Sequence, residues 1–527
     1  MSGCLYIHGV GLHHNYNCDH FSAPPATMLT PFQLCNLGLP SLILIVVTLA
    51  SSYRYFFGCR RRRDLAGKNV PPGSFGFPVV GESWSFVRAL RENKGSEWIQ
   101  RRVAKHGPVF KTSLMGCPTV VITGRAGNKF VFSCGGEVLS MKQPPSVVRV
   151  TGSQNFVELT GMRYKIMKGA LMSFLRPENL QDYIGRMDVL VKHLLLGETK
   201  GKNTILAVPF MRKLTFKVTC SLLFGLHHES TNEAFFEDFS KTFKGLWAFP
   251  LSLPGTTYHQ ALQARSRITE CMLPVLQRRK EQLIEGTVTP KDDIISSLLT
   301  LRDENNEPFG EEAVVDTFVA LLIAGHDTTA TLLSLMVWKL ARDSKIYNKV
   351  WEEQMGIVRE REDETQGKLS WSEVQKMRYT WRVAQELMRM VPPVFGNFRK
   401  TLKDISFEGC DIPKGWQILW EASGTHMNKD IFEDPNNFDP SRFENLSKPI
   451  PPFAYIPFGA GHRKCIGNEF ARIEALVTMH HLITNFEWSQ LIPDESITYQ
   501  PMPYPSKDLP IMLKPRKLSE LCDLLKT

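Results

Sequence analysis

The chain has 527 residues, of which 43% are hydrophobic and 22% are charged, so it can bury a large core and is not disordered by composition. Its eleven cysteines are scattered and include no Cys-x-x-Cys pair, which argues against a disulfide scaffold or a structural zinc site and favours a reducing compartment. The net charge of +10 is compatible with nucleic acid, a membrane surface or an acidic protein as partner, and charge alone does not separate these.

An apolar segment near the N-terminus predicts a membrane anchor. No Asp, Glu, Lys or Arg occurs between Asp19 and Arg54, and residues 34–57 are long and apolar enough to cross a bilayer as one helix. The basic run Cys59–Asp64 follows at once, and positive charge stays on the cytoplasmic side of a membrane. We therefore expect one N-terminal transmembrane helix and a chain whose bulk faces the cytosol.

The apolar segment and the residues before it allow other interpretations. A cleaved signal peptide fits less well, because its cationic residues would precede the apolar core and here they follow it. A buried helix of a soluble domain stays open as an alternative. Residues 1–33 are interpreted as a lumenal tail, a targeting extension or the result of a wrong start codon, and the sequence does not choose among these.

Residues 58–83 predict a basic and proline-rich hinge. The stretch Asn69–Ser83 holds three prolines and three glycines, which disfavour regular helix or strand. Residues 84–527 contain no further linker and no repeat, so they predict one domain.

The apolar spacing within 84–527 predicts a mainly α domain with small β sheets. Two partly alternating, β-branched runs in Pro108–Gly124 predict a hairpin. From Arg176 onward helical periodicity dominates, and Ser370–Met390 is one such helical segment. Short extended pieces return between residues 404 and 420.

The segment Phe458–Gly467 predicts a metal-binding loop. Its three glycines let the backbone turn tightly and approach a flat object. Cys465 stands just before a stretch with helical period, and a helix N-terminus stabilises a thiolate. A lone thiolate suits a metal whose other ligands are not protein, as in haem iron, and Arg463 could then pair with a haem propionate. The alternative is a buried structural cysteine in a glycine-rich turn.

The pattern Phe-x-x-Gly-x-x-x-Cys-x-Gly, met by Phe458, Gly461, Cys465 and Gly467, resembles the haem-binding signature of cytochrome P450 monooxygenases. The chain after Pro71 follows that family's order of motifs. The resemblance implies the P450 fold with haem b between two long helices, Cys465 as the iron ligand, and a location in the endoplasmic reticulum membrane. The chain shows no dinucleotide-binding glycine motif and no flavin domain, so we expect electrons from an NADPH–cytochrome P450 reductase.

A charged motif upstream of the cysteine resembles the family's structural lock. Glu386 and Arg389 are three residues apart and share one helix face. The resemblance implies that Arg442, in a Pro-Ser-Arg-Phe loop, completes this network and fixes the cysteine loop against the core, with no part in turnover. The alternative is an ordinary exposed ion pair, worth about 0.5 kcal/mol.

The apolar segment Leu321–Leu333 contains a glycine, an acid and two threonines in succession, for which a core helix has no structural use. These residues resemble the family's oxygen-activation site. By that resemblance Thr328 hydrogen-bonds the activated oxygen, Asp327 passes protons inward, and Gly325 leaves space over the haem. The alternative is a kinked core helix whose threonines bond carbonyls one turn back.

An early helix carries the residues that align with the family's propionate partners. These are Tyr164, Lys165 and Lys168, in positions where family members usually have His or an aromatic residue and a basic residue four apart. A lysine keeps the charge of an arginine but lacks its bidentate fork.

The segments Val391–Trp420 and Tyr504–Pro515 resemble the plant P450 branch that oxidises terpenoids and sterols, and most of all taxoid (taxane diterpenoid) hydroxylases. An apolar cavity with a few polar groups would suit such a substrate. The apolar loop Phe243–His259 matches the region through which lipid-soluble substrates enter from the membrane. Family position places six residues in the cavity wall, most of them equally good core residues: Phe318, Leu322, Val394, Phe395, Met502 and Tyr504.

The sequence therefore predicts a membrane-anchored haem-thiolate monooxygenase of specialised terpenoid biosynthesis that inserts one oxygen atom from O2 into a hydrophobic substrate. Nucleic acid is not an expected partner. Lys464, Arg463 and Lys168 could form a cationic docking face for the reductase. The alternatives are a haem-thiolate isomerase or dehydratase without external electrons, and a haem sensor or membrane scaffold.

Overall fold

The computed structural model describes residues 67–77, 80–226, 233–361, 368–444, 449–499 and 502–516, together with Thr48. The predicted anchor at 34–57, apart from Thr48, and the tail at 1–33 lie outside the described residues, as does the basic run after the anchor. The chain divides into two compact units, residues 1–66 and 67–527, and the fold described below belongs to the second.

The described part of the chain is mainly helical, as the periodicity predicted. Its helices are α1 Ser83–Arg91, α2 Gly95–His106, α3 Gly124–Ser133, α4 Pro145–Thr151, α5 Gly161–Leu175, α6 Pro177–Thr199, α7 Ala207–Phe224, α8 Glu233–Leu246, α9 Thr257–Glu285, α10 Ile294–Thr300, α11 Glu311–Leu340, α12 Ser344–Arg359, α13 Trp371–Lys376, α14 Arg378–Met390, α15 Ser423–His426 and α16 Asn468–Asn485. Two short 3-10 helices lie at Pro440–Phe443 and Gly461–Arg463.

The strands form small sheets, again as predicted. They are β1 Val109–Leu114, β2 Cys117–Ile122, β3 Leu139–Ser140, β4 Thr204–Leu206, β5 Gly396–Thr401, β6 Ile405–Phe407, β7 Cys410–Ile412, β8 Gln417–Glu421, β9 Phe486–Gln490, β10 Ile497–Tyr499, β11 Pro503–Pro505 and β12 Pro510–Pro515. The largest sheet has the order β1-β2-β8-β5-β3.

The predicted hairpin in Pro108–Gly124 is confirmed. Strands β1 and β2 pair antiparallel from Val109↔Ile122 to Leu114↔Cys117. Met115 and Gly116 make the two-residue turn with φ of 53° and 75°, the left-handed geometry that fits a tight hairpin. On its other side β2 pairs in parallel with β8, so the sheet joins the start of the domain to its last third.

The long helix α11 forms the centre of the domain. It packs against α7, α14 and α16 within one continuous hydrophobic core. Among the described residues it is the one helix long and apolar enough to cross a membrane, and 78% of that apolar window is buried inside the protein. Its apolar character is therefore that of a core helix.

The segment Ser370–Met390 forms two helices, where its periodicity predicted one. Helix α13 begins with a capping box between Ser370 and Glu373. The helical conformation is interrupted at Met377, where ψ is 52°. The carboxylate of Glu353 accepts hydrogen bonds from the backbone N–H groups that begin α14, at 2.5 Å from Tyr379 and 2.9 Å from Thr380. A side chain from another helix thus caps α14, and no local pattern could indicate this break.

Candidate active site

The loop before α16 holds Cys465 in a fixed turn. The Cys465 N–H donates to the Phe458 carbonyl at 2.9 Å. Gly459 and Gly461 have φ of 66° and 67°, a conformation that favours glycine. A Cβ on Gly461 would overlap the carbonyl oxygen of Phe132, so that glycine is required by both conformation and contact.

Cys465 is solvent-accessible at the entrance to α16. The helix begins at Asn468, and no side chain caps its first turn. Although the side chain is accessible, the surrounding protein atoms partly desolvate the Cys465 thiol and raise its pKa, and the Gly467 N–H together with the Lys464 charge lowers it only in part. The start of the helix therefore lowers the pKa of the thiol, as predicted, but by less than desolvation raises it. A thiolate here is favoured by a cation bound to the sulfur.

Gly467 differs from the other two glycines of the loop. Its φ is −93°, and a Cβ there would meet no protein atom within 4 Å. Contacts within the described chain therefore do not explain a glycine beside the sulfur of Cys465. Open space next to a lone thiol suits the close approach of a flat group such as haem.

A cluster of cationic side chains lies beside the loop. The Arg463 guanidinium stacks 3.4 Å from the ring centre of Tyr164, and its Nη2 donates to the Leu159 carbonyl at 2.6 Å. Its Nη1 is buried and has no hydrogen-bond partner in the described part of the chain. The Tyr164 hydroxyl and the Lys168 ammonium both donate to the backbone carbonyl of His462, at 3.1 and 2.6 Å. Tyr164, Lys168 and Arg463 therefore lie together in the structure.

Arg399 belongs to the same cluster, and the sequence interpretation missed it. Its side chain, on β5, is 5% exposed and donates to the Phe398 carbonyl at 2.8 Å. Burial and the nearby charge of Arg463 lower the pKa of Arg399 to about 10. A small cavity borders Arg399, His462 and Arg463.

These residues fit a haem bound through Cys465. Arg399 and Arg463 form no ion pair with a carboxylate of the described residues, and buried cations without an acid are costly unless an anion joins them. Haem propionates supply such anions. Phe458 is half-buried against the core below the loop, whereas Lys165 is exposed and makes none of the hydrogen bonds of the cluster.

The Glu386 and Arg389 pair is fully buried and bidentate. Arg389 Nε and Nη2 each lie 2.7 Å from a carboxylate oxygen of Glu386, and neither side chain is exposed. Arg442 adds a contact of 3.3 Å to Glu386, and the Asp439 N–H donates to the same oxygen at 3.0 Å. The alternative of an exposed ion pair does not describe this arrangement.

His426 connects this network to the cysteine loop and was not foreseen. Its Nδ1 lies 3.2 Å from the Arg389 carbonyl, and its Nε2 accepts the Ile456 N–H at 2.9 Å. Since Nε2 accepts, the proton is on Nδ1. Burial lowers the pKa of His426 to about 3, so the ring stays neutral. The segment around this histidine carries no motif that could have revealed it.

One face of the otherwise buried helix α11 is open. Ala324 is exposed, and Leu321, Gly325 and Thr328 are half-buried, at the spacing of one helix stripe. A Cβ on Gly325 would lie 3.4 Å from Thr219. The open stripe lies at the predicted oxygen-activation site.

The threonine hydroxyls of α11 bond carbonyls one turn back, which is one part of the alternative interpretation as a kinked core helix. Thr328 Oγ1 donates to the Ala324 carbonyl at 2.6 Å, and Thr329 Oγ1 to that of Gly325 at 3.0 Å, each one turn back. The helix itself is continuous from Glu311 to Leu340 and not interrupted. The open face around Thr328, and not its hydrogen bond, is what distinguishes this segment from a core helix.

Asp327 lies beside this stripe in a charged network. Its carboxylate is 1% exposed and forms an ion pair with Arg212 of α7 at 2.9 Å. The Tyr504 hydroxyl donates to the same carboxylate oxygen at 2.8 Å. The neighbouring His326 is fully buried, donates from Nδ1 to the Leu322 carbonyl at 2.7 Å, and packs edge-on against Phe216.

Glu474 is a further buried acid that sequence reasoning missed. It lies on α16 and is 0% exposed, and neither of its carboxyl oxygens has a hydrogen-bond partner among the described residues. Burial raises its pKa well above the ordinary value, with the Thr329 hydroxyl opposing the shift. Burial thus favours the protonated form of Glu474, which lies behind the α11 stripe.

The six residues predicted for the cavity wall fall in different places. Phe318 and Leu322 are 0% exposed, and Phe318 packs against Phe224 and Phe239 on the closed side of α11. Met502 is also buried in the core, and Tyr504 directs its hydroxyl to Asp327. Two remain open: Val394, with 36% exposed, and the half-buried Phe395.

The loop after α8 is apolar and exposed. Phe249 is 81% exposed, and Trp247, Leu251 and Leu253 are each near half exposed. Exposed apolar side chains in one short segment are typical of a membrane or partner contact. The loop lies within the predicted entry region Phe243–His259.

Comparisons with known proteins agree with this geometry. A family model described as Cytochrome P450 matches residues 71–515. A taxane 13-alpha-hydroxylase of Taxus cuspidata is 35% identical over 90% of this chain and 98% of that protein. A beta-amyrin 28-monooxygenase of Kalopanax septemlobus is 37% identical over 91% of this chain and 99% of that protein. The solved structure of retinoic acid bound cyanobacterial CYP120A1 matches with a TM-score of 0.76 and 30% identity, over 85% of this chain and 100% of that chain.

Proposed function

Because the chain belongs to the cytochrome P450 family, we propose that it hydroxylates a hydrophobic terpenoid, of taxoid or triterpenoid type, with electrons from an NADPH–cytochrome P450 reductase. The protein is a monooxygenase, and its cofactor is haem b. Haem b supplies the activation of O2 that oxidation of an unactivated C–H bond requires.

The open stripe on α11 is the observation that carries this proposal. Within a helix that is otherwise buried, Ala324, Gly325 and Thr328 leave one face accessible next to a carboxylate, Asp327. An isomerase or dehydratase without external electrons has no use for a proton path at that place. A monooxygenase needs one, since reduction of O2 consumes protons.

The chain's own residues then have distinct roles. Cys465 would bind the iron, Arg463, Arg399 and Lys168 would balance the charge of the propionates, and Tyr164 would help to orient them. Asp327 takes up protons from solvent and passes them toward the Thr328 hydroxyl, which can rotate away from the Ala324 carbonyl to donate elsewhere.

The apolar character of the substrate is supported by the surfaces that would receive it. Val394 and Phe395 present apolar side chains, and the relatives named above act on taxanes and beta-amyrin, which are large terpenoids. The exposed apolar loop around Phe249 offers a route from a membrane for such a molecule.

The membrane and reductase assignments complete the proposal. Residues 34–57 anchor the protein in the endoplasmic reticulum membrane with the domain in the cytosol. The exposed Lys464, next to the iron ligand, contributes to a cationic face that attracts an acidic reductase.

The test starts from membranes that contain the wild type, Cys465→Ala or the control Cys134→Ala. We expect a thiolate-type carbon monoxide difference spectrum for the wild type and the control, and none for Cys465→Ala. Wild-type membranes with reductase and NADPH are then given a taxadiene-type diterpene or beta-amyrin, and hydroxylated product is measured by mass spectrometry.

Each outcome has a defined meaning. Product that appears only with NADPH and reductase supports the proposal. Product formed without NADPH would identify an isomerase or dehydratase instead. A wild-type protein that keeps its fold and haem but shows a spectrum typical of histidine ligation would contradict Cys465 as the ligand.

A further inference from the structure

Tyr504 contacts the central helix through its hydroxyl, although it lies on a distant part of the chain. Its Oη lies 2.8 Å from Asp327 Oδ1 and 3.0 Å from the Asp327 backbone carbonyl. Tyr504 belongs to β11, which pairs antiparallel with β10 and places Tyr504 opposite Thr498. The β10–β11 hairpin, residues 497–499 and 503–505, is thereby hydrogen-bonded to α11.

Arg212 reaches the same carboxylate from another direction. Its Nε lies 2.9 Å from Asp327 Oδ1, and the Arg212 side chain is 20% exposed whereas that of Asp327 is 1% exposed. The second oxygen, Oδ2, is buried and has no hydrogen-bond partner among the residues that the structure describes. Three elements, α7, α11 and the hairpin, thus meet on Oδ1 and leave Oδ2 free.

The protonation states of Tyr504 and Arg212 allow both side chains to donate hydrogen bonds to Asp327 and so to fix its orientation. Burial and the charge of Asp327 raise the pKa of Tyr504 well above its ordinary value, so its hydroxyl remains a donor. Burial lowers the pKa of Arg212, but the Asp327 charge outweighs it and the net pKa is raised. A buried carboxylate with a cation and a neutral donor on one oxygen is fixed in orientation.

We propose that Tyr504 is a positioning residue for Asp327. Its hydroxyl and the Arg212 guanidinium hold Oδ1, so that Oδ2 is the oxygen left free to accept a proton and to release it toward Thr328. The inference rests on the proposed function, in which Asp327 passes protons inward. Because Tyr504 lies on the hairpin, the position of the hairpin relative to α11 controls proton delivery.

The geometry separates this role from a place in the cavity wall. A wall residue would present its polar end to substrate, whereas the Tyr504 hydroxyl points at the carboxylate and the backbone carbonyl of Asp327. Loss of that hydroxyl should therefore alter proton transfer and leave substrate affinity unchanged.

The first measurement uses the full-length haem protein without substrate or reductase. Tyr504→Phe removes the hydroxyl and keeps the ring, and Tyr499→Phe on the partner strand is the matched control. We expect amide hydrogen exchange of the hairpin to become about tenfold faster in Tyr504→Phe, which corresponds to about 1.4 kcal/mol, and to stay unchanged in Tyr499→Phe.

The second measurement is NADPH oxidation with reductase in H2O and D2O, without terpenoid. In this reaction one NADPH, one proton and O2 give NADP+ and hydrogen peroxide. We expect Tyr504→Phe to slow the reaction by about tenfold and to increase the ratio of the rates in H2O and D2O. Asp327→Asn should do the same, and the double variant should be no slower than Asp327→Asn alone, because Tyr504 acts through Asp327.

The results that would overturn the proposal are specific. A wild-type rate and isotope ratio in Tyr504→Phe, or additive losses in the double variant, would show that the hydroxyl does not act through Asp327. Unchanged hairpin exchange would show that it is no tether. Neither measurement uses a terpenoid, so an error in the proposed substrate leaves both valid. If the wild type accepted no electrons from reductase, the proposed electron source would fail and the exchange data would decide alone.

Discussion

Two clusters of buried charge border the Cys465 loop, and they differ in how the charge is balanced. On one side Glu386 and Arg389 are fully buried and neutralise each other at 2.7 Å. On the other side Arg399 and Arg463 are cations that form no ion pair with a carboxylate of the described residues, and one nitrogen of Arg463 has no partner. We therefore distinguish the paired cluster from the cationic cluster.

The difference shows which charges serve the fold and which serve a ligand. In the paired cluster every charge is satisfied within the chain, so the cluster stabilises the loop before any cofactor binds. In the cationic cluster burial disfavours the charged forms, as the lowered pKa of Arg399, about 10, indicates. That cost is offset once an anionic group binds, so the second cluster fits an anionic ligand such as a haem propionate.

Glu386→Gln should have the largest effect, because it breaks the paired cluster. Arg389 would remain buried with only carbonyl and sulfur partners, and we expect the free energy of unfolding to fall by about 3–5 kcal/mol. Urea unfolding measures this loss. Glu444→Gln is the control. The Glu444 side chain is 61% exposed and forms a 3.0 Å ion pair with Arg382, so loss of this pair should cost less than about 1 kcal/mol of stability. Equal effects would remove the distinction between buried and exposed pairs.

Low pH should destabilise the folded protein at the paired cluster, because His426 there is held in its neutral form. The pKa of His426 is lowered from 6.5 to about 3 by burial, so the unfolded chain binds the proton first. The stability from the neutral ring is present above pH 6.5 and is lost as the pH falls toward 3, by about 1.4 kcal/mol per pH unit.

The contribution of His426 is measured as a difference between variants. Unfolding of the wild type and of His426→Gln is followed between pH 7 and pH 4, and the wild type should lose more stability than the variant. His193→Gln, at an exposed position of α6, should follow the wild type. A His426→Gln protein with the same pH slope as the wild type would contradict the assignment.

Gly461→Ala tests the loop between the two clusters. A side chain there would adopt φ of 67° and overlap the Phe132 carbonyl, so we expect a loss of about 1–2 kcal/mol or more and a weaker carbon monoxide band. Gly467→Ala is the matched control, because its Cβ meets no protein atom within 4 Å. We expect Gly467→Ala to leave the unfolding of the haem-free protein unchanged and to weaken haem binding. Equal loss of stability in both variants would contradict this account.

Arg399→Met should have the smallest effect on the fold, and this sharpens the comparison. Removal of a buried cation without an acid partner should change the unfolding of haem-free protein by less than about 1 kcal/mol, or stabilise it. Haem should nevertheless leave the variant faster, as measured by transfer to a haem acceptor protein. Arg389→Met, in the paired cluster, should lose several times more stability. A large loss in haem-free Arg399→Met would show that the two clusters are alike.

Motifs in which residue spacing carries the chemistry could be predicted from the sequence. The loop of Cys465 lies before a helix, and Glu386, Arg389 and Arg442 come together. The hairpin and the mainly helical body followed from periodicity, because neighbours along the chain decide them. These features are local or belong to one recognisable pattern.

Features that depend on how helices and strands are oriented relative to one another could not be predicted from the sequence. Phe318 and Leu322 lie on the closed face of α11 and Leu321 and Ala324 on the open one, and the rotation of a helix that is apolar all round cannot be read from its composition. Arg399 meets Arg463 only because the sheet places β5 beside the cysteine loop.

The parallel pairing of β2 with β8 has a consequence for synthesis of the protein. Val120 pairs with Ile418, so the hairpin emerges from the ribosome about 300 residues before its partner strand. At a translation rate of about 5–20 residues per second, the apolar edge of β2 stays unpaired for about 15–60 s before β8 is synthesised. An unpaired strand edge invites association with other chains during that interval. Yield in a foreign host should therefore depend on chaperones that cover the nascent hairpin.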